Sequence, residues 1–306
     1  MELCTFMLTT RQECSTAAEI DAGGEVWAVT FTAGGKHLVS GDNEGVRVWR
    51  VEDGKEMANM KTRRVHCLVV SQEGRWIAAG TGWGDVFVWD ANSYEQVFKH
   101  KEDYWSIQGL DFSPNSARLV SASNNGTATI WDLVTYQKVQ TLQHKGCVIA
   151  AKYAPQGDRI ATATDDAVRV YGFDGCVLVD IKVAVTPWRN NGLTWFNDHL
   201  FVLSDGKIKR FDASSGSALS EWPVPDSNDD SCITLPKHGA YIAYSTKRTV
   251  TFWDTSTHSP LGRIQHPGDI RSIAFSPGDR FLSLCGEGEK INIENLSRLI
   301  VGTVFR

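Results

Sequence analysis

Apolar and β-branched residues in this chain fall into short runs separated by turn-forming residues, and the arrangement repeats. The stretch from Trp105 to His144 shows one whole unit. It reads Trp105-Ser-Ile-Gln-Gly-Leu-Asp-Phe-Ser-Pro, then Ala117-Arg-Leu-Val-Ser-Ala-Ser-Asn-Asn-Gly, then Thr127-Ala-Thr-Ile-Trp-Asp, and ends on Lys138-Val-Gln-Thr-Leu-Gln-His. Four runs divided by Ser-Pro-Asn, Asn-Asn-Gly and a polar linker predict four antiparallel strands joined by tight turns.

Seven such units align on their last apolar run: Val46–Trp49, Val86–Trp89, Ala128–Trp131, Val168–Tyr171, Ile208–Phe211, Val250–Trp253 and Ile291–Glu294. By subtraction, successive ends lie 40, 42, 40, 40, 42 and 41 residues apart. Six of the seven end on an aromatic ring and the last on Glu294. Rings held at one phase are expected to pack between neighbouring sheets. A second register supports the alignment. A small residue recurs three places before a large apolar one: Ala28/Phe31, Cys67/Val70, Gly109/Phe112, Ala150/Tyr153, Gly192/Trp195, Cys232/Leu235 and Ser272/Phe275. Small residues at one phase place that point where the sheets converge near a central axis. Cys67 and Cys232 read there as buried fillers, not as reactive thiols.

A sheet of four short strands cannot bury both faces alone, whereas seven stacked about an axis can. About 40 residues and four strands per unit, with Trp-Asp endings at Trp89-Asp90, Trp131-Asp132 and Trp253-Asp254, resemble the WD-repeat β-propeller family, with divergent repeats. The resemblance covers residues 25–306. It implies an all-β, seven-bladed propeller of four-stranded antiparallel blades, the blades starting near 25, 64, 105, 147, 189, 229 and 269. Residues 1–24 are expected to help close the ring. The family closes by lending an N-terminal strand to the last blade, and Thr16–Ile20 has that phase. Cys4–Leu8 could be its hairpin partner, and Val301–Phe305 is the competing outer strand.

The chain departs from the family in its internal hydrogen-bond relay, which links a His, a Ser or Thr, a turn Asp and the Trp of one blade. The turn-Asp position holds Asn43, Trp83, Asn125, Asp165, Asp205, Lys247 and Gly288, and His survives at 100, 144 and 266. His144, Thr162, Asp165 and Tyr171 come nearest to a full set. These histidines read as turn braces, not as metal ligands.

A formal net charge of −5 offers no general attraction for nucleic acid or anionic lipid. No apolar run is long enough to span a membrane, and Met1–Thr10 has no signal-peptide pattern. Seven scattered cysteines without a Cys-x-x-Cys pair suit reduced thiols in the cytoplasm, with the nucleus as alternative. No nucleophile elbow, phosphate loop, dinucleotide fingerprint or zinc-protease motif is present. The acid pairs Asp165-Asp166 and Asp229-Asp230 read as solvated turns. The expectation is a non-catalytic scaffold without metal or cofactor, binding a protein or peptide. It would be a monomer unless the N-terminal strand exchanges between molecules.

In the family, partners dock on the face bearing the start of each first strand and the turn before each third. Phase maps Glu25, Trp27, Arg64, His66, Trp83, Trp105, Gln108, Arg189, Asp269 and Arg271 to that face. Trp27, Trp83, Trp105 and Trp188 lie outside the sheet-packing phase, and large aromatics with Arg are the usual anchors of a partner. The bland alternative is that these rings cap the blades. A small-molecule or glycan site is the second functional reading, with Trp83, Asn124 and Asp42 as its pocket.

Overall fold

The computed structural model describes residues 15–101, 104–185, 192–226 and 231–298. These form twenty-eight strands in seven four-stranded antiparallel sheets, with one 3-10 turn at Leu296–Arg298 and no α-helix among the described residues. Blades one to six span 26–61, 65–101, 107–143, 150–181, 193–223 and 232–265. Blade seven combines Ile270–Phe275, Phe281–Gly286 and Lys290–Asn295 with the strand Ser15–Asp21, which pairs antiparallel to Lys290–Asn295 and forms its outer edge. Cys4–Leu8, Trp188, Arg189, Asp229-Asp230 and Val301–Phe305 lie outside the described residues.

The first strands of the blades touch one another in a closed cycle, one to two and on to seven, then back to one. They surround the axis. The hydrophobic core divides into seven clusters, one at each interface between neighbouring blades. The ring that ends each unit sits in these interfaces. Trp49 packs with Ile20 and Ile291 of blade seven, Trp89 with Val46 and Val48 of blade one, and Trp131 with Val86 and Phe98 of blade two. At the seventh position Glu294 is buried, accepts a hydrogen bond from Thr16 Oγ1 at 3.0 Å, and has its pKa raised by that burial.

The small residues at the start of each unit meet the neighbouring blade's backbone. Cys67 Sγ lies 3.7 Å from the Ile107 carbonyl oxygen of blade three, and Cys232 Sγ lies 3.4 Å from the Arg271 carbonyl oxygen of blade seven. No disulfide joins any two of the described cysteines Cys67, Cys147, Cys176, Cys232 and Cys285. Close approach also explains Gly80, where an added Cβ would stand 2.5 Å from Ile107 Cγ2 and 2.7 Å from Cys67 Sγ.

Hydrogen bonds secure the blades internally. Trp49 Nε1 donates to Ser40 Oγ at 2.8 Å, and Trp131 Nε1 to Ser121 Oγ at 3.0 Å. His144 Nε2 lies 2.9 Å from Thr162 Oγ1 and 3.0 Å from Tyr171 Oη, but no hydrogen bond joins His144 to Asp165. The relay forms without its acid, and burial holds the His144 pKa below its ordinary value. The Asp of the Trp-Asp pair caps the next turn instead. Asp90 Oδ1 accepts the Asn92 and Ser93 amides at 2.9 Å each, and Asp132 Oδ1 accepts those of Val134 and Thr135 at 2.9 and 2.8 Å.

Candidate functional site

The pattern that organises one face of the ring is a β-bulge. Pairing between the first two strands slips by one residue between Ile270 and Ser272, Val26 and Ala28, Val65 and Cys67, and Ile107 and Gly109. In blades four, five and six the described pairing begins past this position, at Ala150, Leu193 and Cys232. The skipped residues are Arg271, Trp27, His66 and Gln108, on four consecutive blades around the ring. A bulge adds a residue to one strand and re-aims its side chain.

These side chains form an arc across blades. The Arg271 guanidinium lies 4.0 Å from the centre of the Trp27 ring and pairs with Glu25 at 2.7 Å and Glu287 at 3.4 Å. Trp27 and His66 are 6.5 Å apart by ring centres, and His66 Nδ1 is 2.6 Å from Ser106 Oγ of blade three. Asp269 is turned to blade six, with Arg248 at 3.2 Å. Trp27 is thus held between blades as a half-buried ring.

Next to this arc lie exposed rings. Trp83 is 50% exposed, Trp105 56% and Tyr104 77%. The Arg64 guanidinium stands 5.3 Å from the Trp83 ring centre, and Lys101 Nζ stands 3.8 Å from that of Tyr104. Arg64 takes φ of 57°, an uncommon conformation for a residue with a side chain, and its backbone bonds to Asn43 O and Gly82 N in two successive blades. Tyr104 was not among the residues that phase singles out; its place directly before Trp105 was the available signal.

Two expectations need correction. Gln108 is not an exposed face residue, being only 5% exposed, because the bulge turns it into the ring. Asp42 is not an open acceptor for a sugar hydroxyl. It is buried, accepts the Glu44 and Gly45 amides at 2.7 and 2.8 Å, and faces Arg47 at 3.4 Å.

The channel inside the ring opens on a cavity of about 350 Å³ lined by Thr30, Val69, Lys152, Thr234 and Ala274, among others. In the same tier Asp111 accepts the Tyr153 amide at 2.8 Å, and burial raises its pKa. No group of three or more His, Cys, Asp or Glu among the described residues is arranged to hold a metal ion.

Comparison with known proteins matches the family model "WD domain, G-beta repeat" at residues 16–50, 55–90 and 93–132. The chain carries three matched WD repeats and folds as a seven-bladed β-propeller. Each matched stretch supplies the outer strand of one blade and the first three of the next, so the repeat is offset from the blade by one strand. This WD-repeat chain is 22% identical to cilia- and flagella-associated protein 52 of Mus musculus over 83% of its own length and 36% of the relative's. It is 24% identical to WD repeat-containing protein 1 of Gallus gallus, covering 78% of the chain and 34% of the relative. It is 24% identical to the guanine nucleotide-binding protein subunit beta of Oryza sativa subsp. japonica, covering 57% and 52%. The propeller thus spans about a third of the length of the first two of these relatives and about half of the third.

Proposed function

We propose that this propeller is a non-catalytic scaffold that binds a protein or peptide partner on the face carrying Arg64, Trp83 and Trp105, flanked by the bulged arc. One observation carries the reading: three large aromatic rings stand exposed, Trp83 in a turn of blade two and Tyr104 and Trp105 just before blade three. Aromatic rings and Arg at a surface supply large contact area at low entropic cost, which is why they dominate binding hot spots. Trp27, Glu25, His66, Asp269 and Arg271 serve as the framework beneath, since their side chains are engaged with other blades. Arg189 belongs to the proposed face by phase alone. Relatives named for cilia and flagella support a cytoplasmic setting and a cytoskeletal class of partner.

The test is affinity capture from source lysate with wild type and a Trp83→Ala/Trp105→Ala variant, both confirmed as folded by circular dichroism and thermal melting. Leu178→Lys, on the outer rim of blade four, serves as control because Leu178 is equally exposed at 56%. A protein held by wild type and by the rim control but lost by the double variant is the expected result. Equal capture by all three overturns the reading.

A further inference from the structure

We propose that the channel inside the ring binds a small organic oxyanion, a carboxylate or a phosphate ester, through Lys152 and the hydroxyls of Thr30 and Thr234. A third register in the repeat builds this site. Two places past the small residue that starts each unit stands a half-buried side chain, among them Thr30, Asp111, Lys152 and Thr234. Asp111 and Lys152 are the charged members of this tier, and five of its seven side chains line the cavity of about 350 Å³.

Lys152 stands apart on that cavity's wall. The other described residues that line it come from blades one, two, six and seven, so Lys152 of blade four reaches it from across the channel. A charge taken out of bulk water is costly unless it is paired. Among the described residues no carboxylate forms an ion pair with Lys152. Asp111 on the neighbouring blade lies within electrostatic range, but burial disfavours its charge and its carboxylate accepts the Tyr153 amide at 2.8 Å. Asp279, on the cavity wall, is held in its own turn. Its two oxygens accept the Lys237 amide at 3.2 and 3.1 Å, and His238 Nε2 lies 3.8 Å away.

The hydroxyls around the cavity match the charge. Thr30 and Thr234 line it from the two blades that flank blade seven, and neither hydroxyl has a hydrogen-bond partner among the described residues. Hydroxyls can donate, and an ammonium donates only, so together they suit an oxygen-rich anion. Inside a protein channel one such charge contact is worth more than at an open surface. Lys237 sits exposed in the turn after the first strand of blade six and adds a second ammonium at the mouth. The mouth therefore lies at the end of the first strands, opposite the face proposed to meet a partner, and the site goes beyond that reading. Its volume is at the low end of small-molecule sites, about 300–1,000 Å³, which limits the ligand to a small metabolite.

The probes are glycerol phosphate, glycerate and glycerol, which share hydroxyls and differ in the oxyanion. Each is titrated calorimetrically into the full chain and into Lys152→Met and Thr234→Val, with folding confirmed by circular dichroism. At least one anion is expected to bind with a Kd of about 1 mM or tighter, and glycerol about tenfold weaker or more. The tighter of the two anions separates a phosphate ester from a carboxylate. Lys152→Met and Thr234→Val should each lose about tenfold, and Thr234→Val carries the test where Lys152→Met does not fold. Glycerol binding as tightly as the anions overturns the choice of an oxyanion. Unchanged binding in either folded variant means an adventitious ion only, and overturns the site. Failure of both anions to reach that affinity does the same.

Discussion

The open oxygen of Gln108 makes a prediction whose sign runs against ordinary expectation for a buried residue. Most substitutions inside a protein destabilise it by about 0.5–3 kcal/mol. Gln108→Met should stabilise this one. Leaving a buried acceptor without a partner costs about 1–3 kcal/mol relative to water, and methionine fills the same unbranched space without the oxygen. Part of this is offset by the amide's own polar interactions, lost together with the oxygen. The net gain is about 1 kcal/mol, equivalent to a rise in melting temperature of about 1.5 °C for a chain of this length. Paired thermal and urea unfolding of the two proteins, with equal urea m-values required, measures it. A fall of the same size would refute the reading that the oxygen is unpaired in the fold.

Three further outcomes follow from the packing. Ser40→Ala leaves the buried Trp49 indole N–H without its 2.8 Å acceptor, so urea unfolding should show a loss of about 1–3 kcal/mol, partly recovered in Ser40→Ala/Trp49→Phe. Ile20→Ala, on the outer strand of blade seven, removes a fully buried side chain between blades seven and one. It should cost about 2–5 kcal/mol, with amide exchange rising first in Lys290–Asn295. Asp111 has a folded pKa above its unfolded one, so its burial favours the fold only below the unfolded pKa, and that support is lost as pH rises through the folded value. Asp111→Asn keeps an acceptor for the Tyr153 amide and should therefore be more stable than wild type at pH 7. The difference should shrink as pH falls below the folded pKa and vanish below the unfolded one, and a constant difference across the pH series would refute the assignment.

What the sequence made legible is what repeats. The ring ending each unit recurs because every blade needs the same interface with the next, so Trp49, Trp89 and Trp131 could be placed without coordinates. The small residues were legible for the same reason, since Cys67 and Cys232 each meet a neighbouring backbone at one phase. Contacts that happen once were not. Arg271 and Glu25 are 246 residues apart and meet only because the ring closes. A Gln between Ile107 and Gly109 reads as a polar surface residue until the bulge turns it inward. Asp42 looked available because its two turn amides and Arg47 leave no trace in spacing. Glu294 breaks the aromatic series, and its partner Thr16 comes from the opposite end of the chain.

The bulges sharpen this distinction into an argument about function. A repeat protein is stable through each unit's own energy and its interface with the next, so the fold demands from every blade only an interface cluster. All seven interfaces have one. In blades four, five and six the described pairing begins at Ala150, Leu193 and Cys232, past the position at which the other blades slip. The bulges of blades seven, one, two and three fall at the start of the first strand, on the face proposed to meet a partner. A bulge leaves its residue outside the strand ladder, and four in succession turn Arg271, Trp27, His66 and Gln108 into one arc. Three of those side chains brace one another or the next blade, so the arc stiffens the face on which the proposed partner would dock.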